Sequence, residues 1–91
     1  MSKHQIKIEY CTQCRWMLRA AWLAQELLVT FETDIEQVAL VPNTGGIFQL
    51  SLNGSVIFDR KTAGRFPETK EVKQIIRNQI DPERSLGHSD I

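Results

Sequence analysis

The residues with the clearest chemical potential in this sequence are Cys11 and Cys14, which are separated by Thr12 and Gln13. Two intervening residues allow the sulfurs to close a small disulfide ring. The same spacing also occurs in zinc sites and in buried, inert thiols. The pair therefore presents three alternatives, a metal site, a structural feature or a redox centre, and the surrounding elements have to decide among them.

A zinc site is disfavoured because the chain offers few further ligands. A structural zinc ion takes four ligands, and the cysteine pair supplies two. The only histidines are His4 and His88, which are far apart in the sequence and have no ligand spacing between them. We therefore predict no metal site and no bound cofactor.

The cysteine pair lies where a strand gives way to a helix. Residues 5–10 alternate between apolar and polar side chains, as a half-buried strand does. From Gln13 to about Val29 the period becomes helical, with Thr12 as the candidate N-cap. The predicted apolar face of this first helix consists of Met17, Ala20, Ala21, Ala24, Leu27 and Leu28. The helix N-terminus supplies unpaired N–H groups and partial positive charge, which favour a thiolate in a redox centre.

Beyond the first helix, the chain predicts three further strands. Residues 35–41 form a short β-prone run that ends at Pro42. Residues 47–52 and 55–60 form two more such runs on either side of an Asn-Gly dipeptide. Asn-Gly between two strands favours a type I′ hairpin, because both positions tolerate positive φ.

The hairpin register predicts which of its side chains are buried. Leu50 is expected to face Ile57, and Ser51 to face Val56. In that register Val56 and Phe58 point to the sheet face that no helix covers. That face is then either partly exposed or covered by another molecule.

Polar residues separate the hairpin from a second helix. We interpret residues 59–61 as a solvated charge run and residues 61–65 as a loop. The second helix opens at residues 66–68, where Pro67 needs no N–H partner, and stops at residues 81–82. Its predicted apolar stripe consists of Val72, Ile75, Ile76 and Ile80.

The resulting element order is β-α-β-β-β-α. The first β-α-β unit favours a right-handed parallel crossover, and the hairpin adds antiparallel strands. Because each helix has one apolar face, we expect a four-stranded mixed sheet with both helices on one face. We therefore predict an α/β (α+β) chain with a reduced thioredoxin-like fold. It forms a single domain over residues 1–91, with a core at about 4–80 and a mobile tail at 81–91.

Composition limits the function classes. Eleven basic and eleven acidic residues give a formal net charge of zero, which argues against nucleic acid and against anionic membrane surfaces. No stretch approaches the about 20 apolar residues of a membrane span, and the N-terminus shows no signal-peptide pattern. We therefore expect a cytoplasmic location, where a C-x-x-C pair is more often catalytic or metal-binding than a permanent disulfide.

The cysteine pair also belongs to a longer pattern. The chain resembles the selenoprotein W family, also called the Rdx family, in its bacterial cysteine-containing form. The resemblance rests on IEYCTQCRWMLRAAWLAQELL, TGGIFQLSLNG and FDRKTAGRFPETKEVKQIIRNQIDPERSLGHSD, which cover most of residues 6–90. It implies a small thioredoxin-like redox protein with its C-x-x-C or C-x-x-U motif between the first strand and the first helix.

The available arguments disagree about which sulfur attacks a substrate. In thioredoxin the first cysteine attacks and the second resolves, which by analogy assigns attack to Cys11. In the selenoprotein W family selenium, where present, occupies the second position, which is Cys14 here. A helix capped by Thr12 places Cys14 in the first turn, whereas a helix that starts at Cys11 favours Cys11. We favour Cys14.

Other residues are predicted to support the cysteines. Thr44, Gly45 and Gly46 precede a strand at the place where thioredoxin-like folds bring a loop against the active-site sulfurs. We predict that this loop binds a substrate sulfur or the backbone of glutathione, and the alternative is a simple turn. Arg15 is predicted to favour the thiolate, and Trp16 to shield the redox site or to pack on the second helix.

Trp22 and Arg19 form a candidate partner surface on the polar face of the first helix. Exposed Trp and Arg dominate binding hot spots, although a Trp stacked beneath arginine stems fits the pattern equally well.

The predicted function is reduction or exchange of disulfides and of glutathionylated or oxidised thiols. The protein would act as a thiol-disulfide oxidoreductase, with glutathione or a thioredoxin-like protein as the reductant. The alternative is a redox-switched protein-binding module without turnover. The expected partners are protein thiols or disulfides, glutathione, or a second copy in a weak homodimer.

Overall fold

Four strands and three α-helices form the part of the chain that the computed structural model describes, residues 3–90 without the side chain of Ser89. The strands are β1 (His4–Cys11), β2 (Ile35–Asn43), β3 (Phe48–Leu52) and β4 (Ser55–Asp59). The helices are α1 (Met17–Thr30), α2 (Arg60–Ala63) and α3 (Thr69–Ile80), followed by a 3-10 helix over Gly87–Asp90.

The strands form one mixed sheet in the order β2-β1-β3-β4. β1 is parallel to β2, with Cys11 opposite Asn43, and antiparallel to β3, while β3 and β4 form an antiparallel hairpin. The predicted parallel pairing of β1 with β2, the β3–β4 hairpin and the thioredoxin-like α+β class are confirmed. Pro42 lies inside β2 and not after it. The sheet tolerates this proline because β2 is an edge strand.

One hydrophobic core joins the sheet to α1 and α3. Its fully buried members include Ile6, Ile8, Leu27, Phe31, Phe48, Leu50, Val72 and Ile76. Since both helices contribute to this cluster, they cover the same face of the sheet, as predicted. The polar residues that alternate with the core positions of β1, such as Lys7, lie on the opposite face.

The first helix begins later than its sequence pattern predicts. It starts at Met17 and not at Gln13, and residues 12–15 form a turn. The N–H of Arg15 donates to the carbonyl of Thr12 at 3.0 Å, and Arg15 has a φ of 60°. A residue in the left-handed region cannot belong to a right-handed helix, so the predicted cap at Thr12 is wrong.

The buried face of α1 also differs from the predicted one. It consists of Ala20, Leu23, Ala24 and Leu27. Met17 and Leu28, which the pattern assigns to the core, are exposed, while Leu23 is buried. The apolar side chains therefore extend around the helix beyond the stripe that the core covers.

A bulge in the hairpin changes the predicted register. Ser51 pairs with Val56, as predicted, but Leu50 pairs with Phe58 and not with Ile57. The extra residue on β4 reverses the direction of the side chains that follow it. Phe58 is consequently buried in the core, and Val56 is exposed. The prediction that Phe58 lies on the uncovered face is wrong.

The predicted loop after β4 contains a short helix. α2 begins directly after Asp59, whose carboxylate accepts a hydrogen bond from the Thr62 hydroxyl at 2.8 Å. It ends at Gly64, which has a φ of 74° and donates its N–H to the Arg60 carbonyl. The local hydrogen bond and the left-handed glycine stabilise one helical turn where the composition predicts none.

The predicted second helix corresponds to α3, which starts after the Pro67 position. Val72 and Ile76 are buried as predicted, and Ile80 packs against the core. The segment after α3, which the sequence predicts as a mobile tail, lies against the domain. Arg77 forms an ion pair with Asp90 at 2.7 Å. Leu86 also packs on the core, and Arg84 pairs with Asp34.

Candidate redox site

Cys11 is the last residue of β1, and its side chain is buried at 1% relative exposure. The next residue ties the strand end to β2. The N–H and the hydroxyl of Thr12 both donate to the Asn43 carbonyl, at 2.9 and 3.1 Å. The Trp16 N–H donates back to the carbonyl of Cys11 at 3.3 Å. These bonds hold the 12–15 turn against the sheet edge.

Cys14 lies in that turn and is exposed. Its backbone N–H donates to the Sγ of Cys11 over 3.3 Å, so the two residues of the pair are in direct contact. Both cysteines are free thiols in the structure. The turn therefore presents one accessible sulfur and one buried sulfur in the reduced pair.

The charge of the reduced pair favours the buried sulfur. The pKa of Cys11 is lowered, first by a hydrogen bond from the Cys14 thiol and then, against opposing desolvation, by the backbone N–H groups of Gly46, Cys14 and Gln13. The pKa of Cys14 is raised, mainly because its thiol donates to Cys11 and also by desolvation and the Cys11 charge. Because the two thiols interact directly, they titrate as a pair.

The predicted helix-dipole contribution to the site is absent. Since α1 begins at Met17, neither Cys11 nor Cys14 lies in its first turn. Backbone N–H groups of the 12–15 turn and of Gly46 stabilise the thiolate instead. The choice of Cys14 as the attacking sulfur stays a prediction, now without the helix argument.

The Thr44-Gly45-Gly46 loop approaches the cysteines through its last residue. Gly45 and Gly46 have φ values of 82° and 73°, a conformation that glycine adopts at little cost. The N–H of Gly46 lowers the pKa of both cysteines, whereas the N–H of Thr44 donates to the Asn43 side chain at 2.8 Å. Gly46 is therefore the loop residue that reaches the sulfurs, and substrate binding by this loop stays a prediction.

Three aromatic rings line the region between the cysteine turn and α3. Phe66 lies edge-on to Trp16 and to Phe48, with ring centres 4.8 and 5.4 Å apart, and Trp16 and Phe48 are 6.4 Å apart. We call these residues the aromatic cluster. Trp16 is half-buried. It packs on Phe66, which lies in the segment just before α3.

Arg60 is the functional candidate that sequence reasoning missed. Its guanidinium carbon lies 4.8 Å from the ring centres of both Trp16 and Phe66. Its positive charge lowers the pKa of Cys14, although the net shift of that thiol is upward. Arg15, which the sequence assigns to this role, lies exposed in the turn. The interpretation of Arg60 as part of a solvated charge run is wrong, because the residue is half-buried.

The pairing of the strands indicates where Arg60 lies relative to the cysteines. Asp59 pairs with Gln49, and Gln49 pairs with Glu9 near the end of β1. Arg60, which follows β4, therefore lies at the same end of the sheet as Cys11. A register argument extended across three strands would place Arg60 beside the motif.

Arg19 and Trp22, predicted as one partner surface, line the same small cavity, together with Leu23, Phe48, Pro67 and Thr69. The Arg19 guanidinium carbon lies 3.8 Å from the ring centre of Phe66, so it stacks on the aromatic cluster. Trp22 is 54% exposed, and the helical repeat places it on one side of α1 with Leu18 and Val29, which are 79% and 74% exposed. We call these three residues the apolar row. Their role in partner binding stays a prediction.

Neither a cluster of metal ligands nor a membrane-spanning helix is found among residues 3–90. No group of three or more His, Cys, Asp or Glu side chains in this range is arranged to hold a metal ion. His4 instead lies 3.0 Å from the side-chain amide of Asn53, across the start of β1. Within the same range, no helix has the length and apolar character needed to cross a membrane.

Comparison with known proteins places this geometry in a family context. The Rdx family model matches residues 5–78. A selenoprotein W-related protein from Vibrio cholerae is 57% identical, with a TM-score of 0.85, over 88% of this chain and 100% of that chain. A protein from Bordetella parapertussis is 53% identical, with a TM-score of 0.84, over 87% of this chain and 100% of that chain. No curated protein matches this chain.

Proposed function

Because the chain belongs to the Rdx family, we propose that its C-x-x-C pair makes it a thiol-disulfide redox protein. Its substrates are disulfides, glutathionylated thiols or other oxidised thiols. The observation that carries the proposal is the contact within the pair. Cys14 donates its N–H to the sulfur of Cys11, whose pKa is lowered, and its own sulfur is exposed.

Cys14 is the attacking residue in this proposal because a substrate can reach its sulfur. Cys11, at 1% exposure, is too enclosed for a substrate disulfide. As the Cys14 sulfur attacks, its proton passes to the Cys11 thiolate that already accepts its hydrogen bond. A bond forms between Cys14 and one substrate sulfur, and the other substrate sulfur leaves as a thiolate.

Cys11 resolves the mixed disulfide. After Cys11 gives its proton to the leaving thiolate or to solvent, its sulfur attacks the sulfur of Cys14. The second substrate thiolate leaves, and an internal disulfide forms. Two electrons have then passed from the cysteine pair to the substrate disulfide. Glutathione or a thioredoxin-like protein resets the pair, and the cytoplasm is the compartment that keeps such a pair reduced.

The order of attack is tested with single-cysteine variants and glutathione disulfide. Cys11→Ser retains the exposed sulfur and is expected to accumulate a mixed disulfide with one glutathione at Cys14. Cys14→Ser is expected to react much more slowly, because its remaining sulfur is buried. Mass spectrometry of the intact protein over time measures both. Faster adduct formation in Cys14→Ser would assign attack to Cys11.

A second candidate function is a redox-switched docking module that binds the substrate protein itself. The apolar row favours it, because Leu18 also lines a shallow cavity with Met17 and with residues of the cysteine turn. The apolar surface of α1 is thereby continuous with the motif. Exposed apolar surface of this kind commonly marks protein interaction sites.

Replacing both cysteines by serine separates the two candidates. The double variant loses all thiol transfer if the protein is an oxidoreductase. A docking module would keep its affinity for a partner captured by Cys11→Ser as a mixed disulfide, and Trp22→Ala would weaken that affinity. Binding of the purified partner to both variants can be measured by calorimetry.

A further inference from the structure

Arg60 and Arg19, the two arginines that stack on the aromatic cluster, have no carboxylate partner among the residues that the structure describes. By contrast, Arg65, Arg77 and Arg84 each form an ion pair with an acidic side chain. Arg19 is exposed, but Arg60 is half-buried. A partly desolvated cation without a counter-charge, next to a candidate redox sulfur, is a feature that a negatively charged ligand would complete.

The Nε atom of Arg60 gives an independent indication of a missing ligand. It is buried and has no hydrogen-bond partner among the described residues. Buried N–H donors are nearly always paired in folded proteins, because an unpaired donor has lost its water without compensation. The adjacent carboxylate of Asp59 accepts a hydrogen bond from Thr62, so it is engaged within α2.

The aromatic cluster fixes the position of both guanidinium groups. Arg60 lies 4.8 Å from the centres of Trp16 and Phe66, and Arg19 lies 3.8 Å from the centre of the same Phe66 ring. Stacking on an aromatic ring leaves the N–H edges of a guanidinium available for a planar anion. Phe66 therefore brings two positive groups together at one side of the cysteine turn.

We propose that Arg60, assisted by Arg19, binds a carboxylate of the incoming disulfide, so that the protein selects acidic low-molecular-weight disulfides over neutral or basic ones. The inference rests on the proposed thiol-disulfide function and adds its substrate class. A carboxylate close to the substrate sulfur can pair with the Arg60 fork while that sulfur meets Cys14. The exchange itself is the one described above, with the same bonds formed and broken.

The test compares an acidic and a neutral probe disulfide on the reduced protein. Dithiobis(nitrobenzoate) carries a carboxylate on each ring, and dithiodipyridine carries none. Second-order rate constants are measured at fixed pH and ionic strength for wild type, Arg60→Gln, Arg60→Lys, Arg19→Gln and the control Lys61→Gln. Lys61 is exposed and next to Arg60, so its replacement makes the same change in net charge.

The ratio of the two rates isolates carboxylate binding. Losing the Arg60 charge also changes the acidity of Cys14, but that change affects both probes alike. We expect Arg60→Gln to lower the rate ratio of acidic to neutral probe by about tenfold or more, as loss of a charge-assisted hydrogen bond implies. Arg60→Lys and Arg19→Gln are expected to lower it less, and Lys61→Gln to leave it at the wild-type value.

The outcomes separate this inference from the proposed function. A wild-type protein that reacts with neither probe overturns the proposed function. A wild type that reacts with both, together with an Arg60→Gln variant whose ratio is unchanged, overturns the carboxylate subsite and leaves the redox function standing. If Arg60→Gln does not fold, an unchanged ratio in both Arg60→Lys and Arg19→Gln has the same meaning.

Discussion

At the two sulfurs, accessibility and acidity belong to different residues. Cys11 has the lowered pKa and is buried at the end of β1, whereas Cys14 has the raised pKa and is exposed in the turn. The hydrogen bond between the thiols connects the two properties. In the proposed exchange the exposed sulfur attacks while the buried one receives its proton, so we expect the pair to react as a unit.

Replacing Cys14 by alanine tests this coupling. The change removes the thiol that donates to Cys11, which is the largest cause of its lowered pKa, so the pKa of Cys11 should rise. Cys14→Ser retains a hydroxyl donor and serves as the matched control. Ultraviolet absorbance of the thiolate against pH gives the measurement. An unchanged first titration step in the alanine variant would show that the thiol contact is unimportant.

The same pKa shifts define the sign of the pH dependence of stability. Because folding lowers the pKa of Cys11, its contribution is present above the unfolded thiol pKa and is lost as the pH falls through the folded value. The contribution of Cys14 to stability depends on pH in the opposite direction. Its contribution is present below the unfolded thiol pKa and is lost as the pH rises through the raised folded value.

Among the elements, the turn at residues 12–15 has the largest effect on the site. It ends β1, delays α1 to Met17 and leaves the pair without a helix dipole. Two hydrogen bonds from Thr12 to the Asn43 carbonyl hold it in place. The conformation therefore depends on β2, an element that is distant in the sequence.

The turn between β3 and β4 is predicted correctly from the sequence, and its conformation leads to a prediction about stability. Gly54 has a φ of 87°, and a Cβ added there would meet nothing within 4 Å. Gly54→Ala therefore introduces backbone strain without a clash and should lower the free energy of unfolding by roughly 1–3 kcal/mol. Urea denaturation measures this loss. Ser55→Ala, an exposed neighbour outside the turn, is the control, and equal stability of both variants would contradict the strained conformation.

The sequence predicts those features that depend on local patterns. Alternation identifies β1, Asn53-Gly54 identifies the hairpin, and the apolar stripe identifies α3. The features it misses depend on contacts between distant segments. The start of α1 depends on the bonds from Thr12 to Asn43, and the burial of Phe58 depends on a bulge that no turn signal reveals. The half-buried position of Arg60 follows only from the register of three strands.

In the whole molecule, segments that are distant in the sequence meet at one end of the sheet, where β1, β2 and β4 finish. β1 ends there with Cys11, β2 is followed there by the loop that contains Gly46, and β4 is followed there by Arg60. Trp16, which precedes α1, packs on Phe66, which precedes α3. The candidate site is thus assembled from segments that a single hydrophobic core holds together.

The C-terminal segment gives a prediction at this scale. The pKa of Asp90 is lowered, first by the Leu86 N–H and then, against desolvation, by Arg77. The contribution of Asp90 to packing of the segment is therefore present above the unfolded carboxyl pKa of about 3.9 and is lost as the pH falls through the folded value. Asp90→Asn should release the segment and accelerate tryptic cleavage after Arg84.

The control for this experiment is Glu83→Gln, which removes an exposed carboxylate from the same segment. Its cleavage rate after Arg84 is expected to match the wild-type rate. Equal rates of cleavage after Arg84 in wild type, Asp90→Asn and Glu83→Gln would contradict a role for the Arg77–Asp90 ion pair in holding the segment.

The reduction potential of the Cys11/Cys14 couple tests the redox proposal most directly. The protein is equilibrated with glutathione buffers of increasing oxidation, trapped with an alkylating reagent, and the fraction with an internal disulfide is measured by mass. We expect a potential in the glutaredoxin range of about −200 to −230 mV, in which the pair exchanges with glutathione. A potential below about −300 mV, typical of inert structural disulfides, or no internal disulfide in any buffer, would contradict the proposal.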